Sequence, residues 1–315
     1  MSGPALFRRA EFDRASLDLG TIDIDLQDYA TTGLRVVTVG PSGIGKTNTG
    51  LLFAEQLAVQ GWVAVLLDPE GEIAALYGDA VPDPETLTAR LADRRDPIVV
   101  VQVRTATDFL PYARAVMDAA DAHRRPIFVL LDEAQIFSAS RKRQHDVGEA
   151  SDLVNDWVQR GRKRALDVCL SAHRFSGSLN RAVFANANLT LIGRQDDPTA
   201  WSSLAPRFRG TGIGFADLAA LAPGEFYCAS RRGVEKTAVP MAAALAAVAP
   251  KATVVRPAIP GTFAQWDRAL RAIPTPRLEA LTPPVVELLG AIVGLTPAQL
   301  AAGQRALRDE REARA

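Results

Sequence analysis

Gly40-Pro41-Ser42-Gly43-Ile44-Gly45-Lys46-Thr47 fits the pattern G-x-x-x-x-G-K-[ST]. Glycines at these positions let backbone N–H groups close on phosphate oxygens, and a following helix adds positive potential at its N-terminus. Lys46 would reach the β and γ phosphates, Thr47 would ligate Mg²⁺, and Asn48 extends the candidate nucleotide-binding set. A glycine-rich turn can match such a pattern by chance. Here the apolar run LRVVTV leads directly into the loop and the helical pattern NTGLLFAEQLAVQ leaves it, which is the context the motif needs. ATP and Mg²⁺ are the expected cofactors.

A carboxylate must complete the metal site. PIFVLLDEAQIF supplies Asp132 at the end of an uninterrupted apolar run, with Glu133 immediately after it, in the order of a Walker B motif. Asp132 would hold Mg²⁺ through water and Glu133 would polarise the attacking water, so hydrolysis is expected. Acidic residues also cap helices that follow strands, which is the plainer explanation of the same pair. Between the two motifs, Asp68-Pro69-Glu70-Gly71-Glu72 has the residue order of a type I turn and needs no chemistry to explain it.

Positioning these groups takes a sheet. LRVVTV, WVAVLLD, PIVVVQV, PIFVLLD, DVCLSA, LTLIG and EFYCA are short apolar runs separated by helix-like stretches, the pattern of a parallel sheet buried on both faces. Pro84 with Glu85, and Asp108, mark helix starts between them. The expected fold is α/β: a P-loop NTPase with a mainly parallel central sheet flanked by helices, plus a small helical C-terminal extension.

The chain has 315 residues, of which 48% are hydrophobic and 23% charged, so it can bury a large core without disulfides. Cys169 and Cys228 each lie in an apolar run, as small hydrophobes do. The 36 basic residues balance 36 acidic ones, so no global positive field points to nucleic acid. No run reaches the ~18 apolar residues of a membrane span and the start lacks a signal-peptide core, so a cytoplasmic protein is expected, in the host cytoplasm if viral. Four segments are expected: a β lead-in over 1–33, where SLDLGTIDIDL alternates at period two, the ATPase domain over 34–240, a Pro/Ala-rich linker over 241–262, and a helical extension over 263–315. The extension fits either two packed helices or a small helix-turn-helix.

GPSGIGKTN, DPEGE, LLDEAQ, RGRKRALDVCLSAHR and NANLTLIGR, in that order, resemble the HerA/FtsK superfamily of ring-forming ATPases, and in particular the HerA-like ATP-binding proteins of phages and mobile elements. The resemblance covers roughly residues 20 to 230. It implies a homo-oligomer, a hexameric ring, that translocates or packages double-stranded DNA. A second reading is an ATP-dependent switch or assembly module of a phage, transfer or defence complex that acts on a protein partner; a nuclease, a portal or another protein is the candidate partner. It also implies that Arg162 enters the neighbouring subunit's site, with Arg160 and Arg164 as alternatives, although four basic residues in QRGRKR also suit a solvated face. Where the family places a glutamine that senses the γ-phosphate, this chain has His173, which could sense phosphate or merely cap its strand. Arg141, Lys142 and Arg143, after Walker B, would face a ring lumen and touch DNA, or stand in a solvated loop. Longer HerA motors carry an N-terminal barrel that the first 33 residues or so are too few to build.

Overall fold

The computed structural model describes residues 16–93, 96–123, 126–138, 145–175 and 179–248. Arg141, Lys142 and Arg143, the second part of the expected linker and the whole C-terminal extension lie outside them.

The lead-in alternates as its period-two pattern requires: β1 (Ser16–Asp18) pairs antiparallel with β2 (Asp23–Asp25), burying Leu17 and Ile24. The apolar runs become β3 (Arg35–Val39), β4 (Val63–Asp68), β5 (Ile98–Gln102), β6 (Ile127–Leu131), β7 (Leu166–Ala172), β8 (Leu189–Ile192) and β9 (Glu225–Ser230), and β10 (Gly233–Ala238) follows. Among the described residues they form one sheet in the order β10-β9-β8-β3-β7-β6-β4-β5. Every pairing from β8 to β5 is parallel. EFYCA departs from the expected direction: β9 runs antiparallel to β8, and β10 returns antiparallel to β9. A run of apolar residues carries no sign of direction. β10 itself was not legible because only Thr237 on it is buried.

Successive strand residues point to opposite faces, and both faces are covered. Val37, Val65, Val99, Val129 and Val168 pack under α4 (Ala106–His123) and α5 (His145–Arg160). Val36, Leu66, Phe128 and Cys169 pack under α1 (Lys46–Val59) and the lead-in. Both cysteines are buried and free, and burial pushes their thiols up, Cys228 to about 12, so they stay protonated and serve as apolar filling.

The helix starts follow their signals. Asp83 caps α3 (Pro84–Ala92) by accepting from Thr86 N at 2.6 Å, and Thr105 and Asp108 bond each other's backbone N–H at the start of α4, both at 3.2 Å. Asp68 closes its turn by accepting from Gly71 N at 2.9 Å and Ile73 N at 2.7 Å. The first residues beyond Pro240, placed in the linker on composition, are built onto the domain. Ala242 is fully buried, and the short α2 (Ala74–Tyr77) and the later helix Ala243–Val248 share contacts. Alanine-rich composition gives the same signal for a spacer and for a helix that packs closely.

Candidate nucleotide site

β3 ends at Val39 and α1 begins at Lys46, so six residues carry the chain from strand to helix. Gly43 and Gly45 take φ of 78° and 104°, a region where a side chain would be strained. A Cβ built on Gly43 meets nothing within 4 Å, leaving the loop open above its own backbone. Gly45 is the N-cap of α1 and supplies no side-chain bond, so the first N–H groups of the helix face the loop without an internal partner.

Lys46 is only 5% exposed and donates to Pro41 O across the loop at 3.1 Å. Burial pulls its ammonium below the ordinary lysine range, and Glu133 and Asp132 pull it back up. A buried cation bonded to a carbonyl under an open, glycine-lined loop fits the phosphates of a nucleotide. Thr47 Oγ1 donates to Asp132 Oδ2 at 2.7 Å, bringing a hydroxyl and a carboxylate to one point. Among the described residues no three His, Cys, Asp or Glu side chains gather as a metal cage. One hydroxyl and one carboxylate suit Mg²⁺, which keeps several waters and takes phosphate oxygens.

Ser171, on β7, joins the two acidic residues: its hydroxyl donates to Asp132 Oδ1 and accepts from Glu133 N at 3.0 Å. Glu133 sits at φ 47°, ψ 44°, the left-handed region that a residue with a Cβ enters at a cost of ~1–3 kcal/mol, and such residues cluster where a side chain must be aimed. That turn carries the carboxylate to β7's end, where His173 Nε2 lies 2.8 Å from Glu133 Oε2, and Gln135 Nε2 donates to the same oxygen. Lys46, Thr47, Asp132, Glu133 and His173 therefore stand together. His173 stands on the carboxylate, an arrangement that neither phosphate sensing nor strand capping anticipates.

Two of the loop's supports were missed in the sequence. Gly193, after β8, donates to Val39 O at 2.8 Å, and a Cβ there would lie 2.7 Å from Ile44 Cγ1 and 3.1 Å from Phe226. Gly224, at φ 85°, donates to Ile44 O at 2.9 Å. Pro223-Gly224 has the signature of a type II turn, which was available to find it. Ser171 and Gln135 left a weaker signal, a lone hydroxyl in an apolar strand and an amide beside two acids.

Other expected residues fall elsewhere. Asn48 spends its side chain away from the loop, donating to Pro240 O at 2.9 Å and accepting from Ala242 N at 2.8 Å, so only its backbone N–H remains toward phosphate. Arg162 donates to Thr31 O, Arg160 lies 3.4 Å from Asp156, and Arg164 lies 2.7 Å from Asp121. All three stand before β7 while Glu133's partner His173 stands after it, so seven strand residues at ~3.3 Å each, ~23 Å in all, separate them from the P-loop end of the sheet.

No family model and no curated protein matches the chain. Solved structures do. The genome packaging NTPase B204 from Sulfolobus turreted icosahedral virus 2, in complex with AMPPCP, superimposes at a TM-score of 0.53 with 16% identity over 67% of this chain and 100% of that one. The pCW3 conjugation coupling protein TcpA, in a monomer form with ATPgS, gives 0.52 and 13% over 75% and 69%. Thermomonospora curvata EccC (ATPases 2 and 3), in complex with a signal sequence peptide, gives 0.50 and 11% over 75% and 42%. These neighbours are P-loop ATPases of the HerA/FtsK type, and the likeness establishes that the chain has their fold.

Proposed function

We propose that the protein hydrolyses ATP as a homo-oligomeric motor, a hexameric ring, that translocates or packages double-stranded DNA. The observation that carries the catalytic part is the convergence of Lys46, the Thr47–Asp132 pair and Glu133 at the end of β3, β6 and β7. The DNA part is supported by the printed roles of B204 and TcpA.

In this reading Lys46 and the N–H groups of the loop bind the phosphates, and Thr47 and Asp132 would hold Mg²⁺, which would supply positive charge against the negative charge of the phosphates. Glu133 accepts the proton of the attacking water as its oxygen bonds to the γ-phosphorus and ADP departs. His173 and Gln135 hold Glu133 Oε2 so that the carboxylate keeps one direction. Arg162, which stands a strand's length from its own loop, serves the site of a neighbouring subunit. Arg141, Lys142 and Arg143 are assigned the DNA contacts.

The test is ATP turnover with and without duplex DNA, with the oligomeric state measured by mass photometry on the same sample. Turnover that rises with duplex and a hexamer formed with nucleotide support the motor. EccC, solved with a signal sequence peptide, favours one other reading, an ATP-dependent switch on a protein partner. Turnover indifferent to DNA supports that instead.

A further inference from the structure

The end of the sheet away from the P-loop collects arginines. Arg35 opens β3, so the whole strand separates it from the loop that follows Val39. Arg162 precedes β7, which runs parallel to β3 with Val168 opposite Arg35, and its stem packs on the turn before β3, where a Cβ on Gly33 would lie 3.5 Å from Arg162 Cβ. Arg231 follows β9, and because β9 runs antiparallel to β8 its last residue comes to this same end. With the order β9-β8-β3-β7, the three stand within about three strand spacings, ~14 Å at the backbone, which long side chains close.

Their charges meet. Burial pulls the Arg35 guanidinium below its ordinary range, Arg162 and Arg231 push it the same way, and Asp167 acts against them. That carboxylate is already engaged: Asp167 is 3% exposed and accepts from Leu34 N at 2.7 Å and Trp62 Nε1 at 2.9 Å. Nearby arginines have carboxylates of their own, Arg232 with Asp25 and Asp28, Arg164 with Asp121, Arg160 with Asp156. The three at the strand ends are bonded otherwise. Arg35 donates to Val158 O at 3.3 Å and Arg162 to Thr31 O, carbonyls that leave the charge in place, and Arg231 has no hydrogen bond or ion pair with a described residue. Like charges gathered without a counterion repel, and an anion placed among them removes that cost. Guanidinium forks match phosphate oxygens in shape as well as in charge.

We propose that Arg35, Arg162 and Arg231 form an anion seat for a phosphate group presented from outside the chain, the terminal phosphate of a nucleotide held by the neighbouring subunit. Arg35 and Arg231 thereby share a task so far given to Arg162 alone. Use of the seat by a neighbour rests on the ring reading of the protein, whereas the seat itself stands without it. A backbone phosphate of duplex DNA has the same chemistry, and the experiment separates the two.

Inorganic tripolyphosphate is titrated by calorimetry at low salt into the full parent chain and into its Lys46→Ala variant. The parent is expected to bind at two places and Lys46→Ala to keep one of them. In the Lys46→Ala background, Arg231→Gln and Arg35→Gln should each weaken the remaining site about tenfold, while Arg90→Gln, which removes an exposed arginine facing Asp96, leaves it within twofold. Thermal melting checks folding, and Arg231→Gln, at an exposed turn, decides the matter if Arg35→Gln does not fold. Lys46→Ala without binding, or with binding indifferent to Arg231→Gln, overturns the seat and leaves the P-loop reading standing. Equal binding by parent and Lys46→Ala, sensitive to Arg231→Gln in both, supports the seat and overturns the P-loop reading. For the source of the phosphate, Arg231→Gln with Lys46 intact is compared with the parent in ATP turnover and in duplex affinity. Turnover lowered about tenfold at unchanged ATP affinity supports the neighbour's nucleotide. A change confined to duplex affinity supports the seat with backbone phosphate in it, and no change in either overturns the proposal.

Discussion

Glu133 stands in a left-handed turn with a histidine on its carboxylate, and this places two separable tasks on adjacent atoms. Glu133→Gln preserves size and removes the base. It should bind ATP with parental affinity and hydrolyse it ~10²–10⁴ times more slowly, measured as single-turnover release of phosphate. Lys46→Ala should instead lose nucleotide binding itself, because among the described residues Lys46 is the one buried lysine, and it stands under the loop. For His173 the two substitutions to compare are Gln and Leu. Glutamine keeps a donor within reach of Oε2 and should retain turnover, whereas leucine should lower kcat with the ATP dissociation constant unchanged. A fall in binding with constant kcat would place His173 on the nucleotide instead. The motif residues were legible in the sequence because strand, loop and helix signals flank them directly. The partners of Glu133 and Asn48 were not, since Ser171 is 38 residues from Glu133 and Pro240 is 192 from Asn48.

The strands were legible too, as elements. LRVVTV through DVCLSA are apolar enough on both faces to announce burial in a parallel sheet. What apolarity cannot say is order and direction, so β9 runs against the expected direction, and β10, with one buried residue, gave no apolar signal at all. Order matters to the site: β3 lies between β7 and β8, and thus the P-loop emerges between the end that carries His173 and the end that carries Gly193. Gly193→Ala tests this bracing. The added Cβ would stand 2.7 Å from Ile44 and 3.3 Å from Val39 O in a fully packed region. The expected cost is ~1–3 kcal/mol of stability in denaturant unfolding, with a weakened ATP affinity as Ile44 moves and carries the loop with it. Unfolding unchanged by this substitution would mean the loop repacks freely. Gly224 was findable from its Pro-Gly turn, but nothing local marked Gly193, whose neighbours come from β3 and β9.

At the scale of the whole molecule, the separation between Arg162 and the subunit's own loop sets the test of assembly. A guanidinium supplied from a neighbour is worth ~10³–10⁵ in rate and much less in binding. Arg162→Ala should thus keep ATP affinity while losing turnover. Mixing it with Lys46→Ala should regenerate activity at interfaces where an intact Lys46 meets an intact Arg162. Two inactive variants that exchange subunits and stay inactive would remove Arg162 from the site, leaving Arg160 and Arg164. The bond from Arg162 to Thr31 O is one a side chain can exchange on assembly, since Arg162 is exposed.

β3 is the earliest strand of the main sheet in the chain and has its neighbours from β7 and β8, more than 125 residues later. A ribosome releasing this chain has produced the phosphate loop long before anything exists to hold it open. Helix α1 must meanwhile wait beside unpaired backbone, and closing so long a loop makes folding slow. Enclosure of the loop between its two neighbouring strands is therefore a late event in the life of each polypeptide, and a chain stalled before residue 189 carries the full signature motif without β8 beside it.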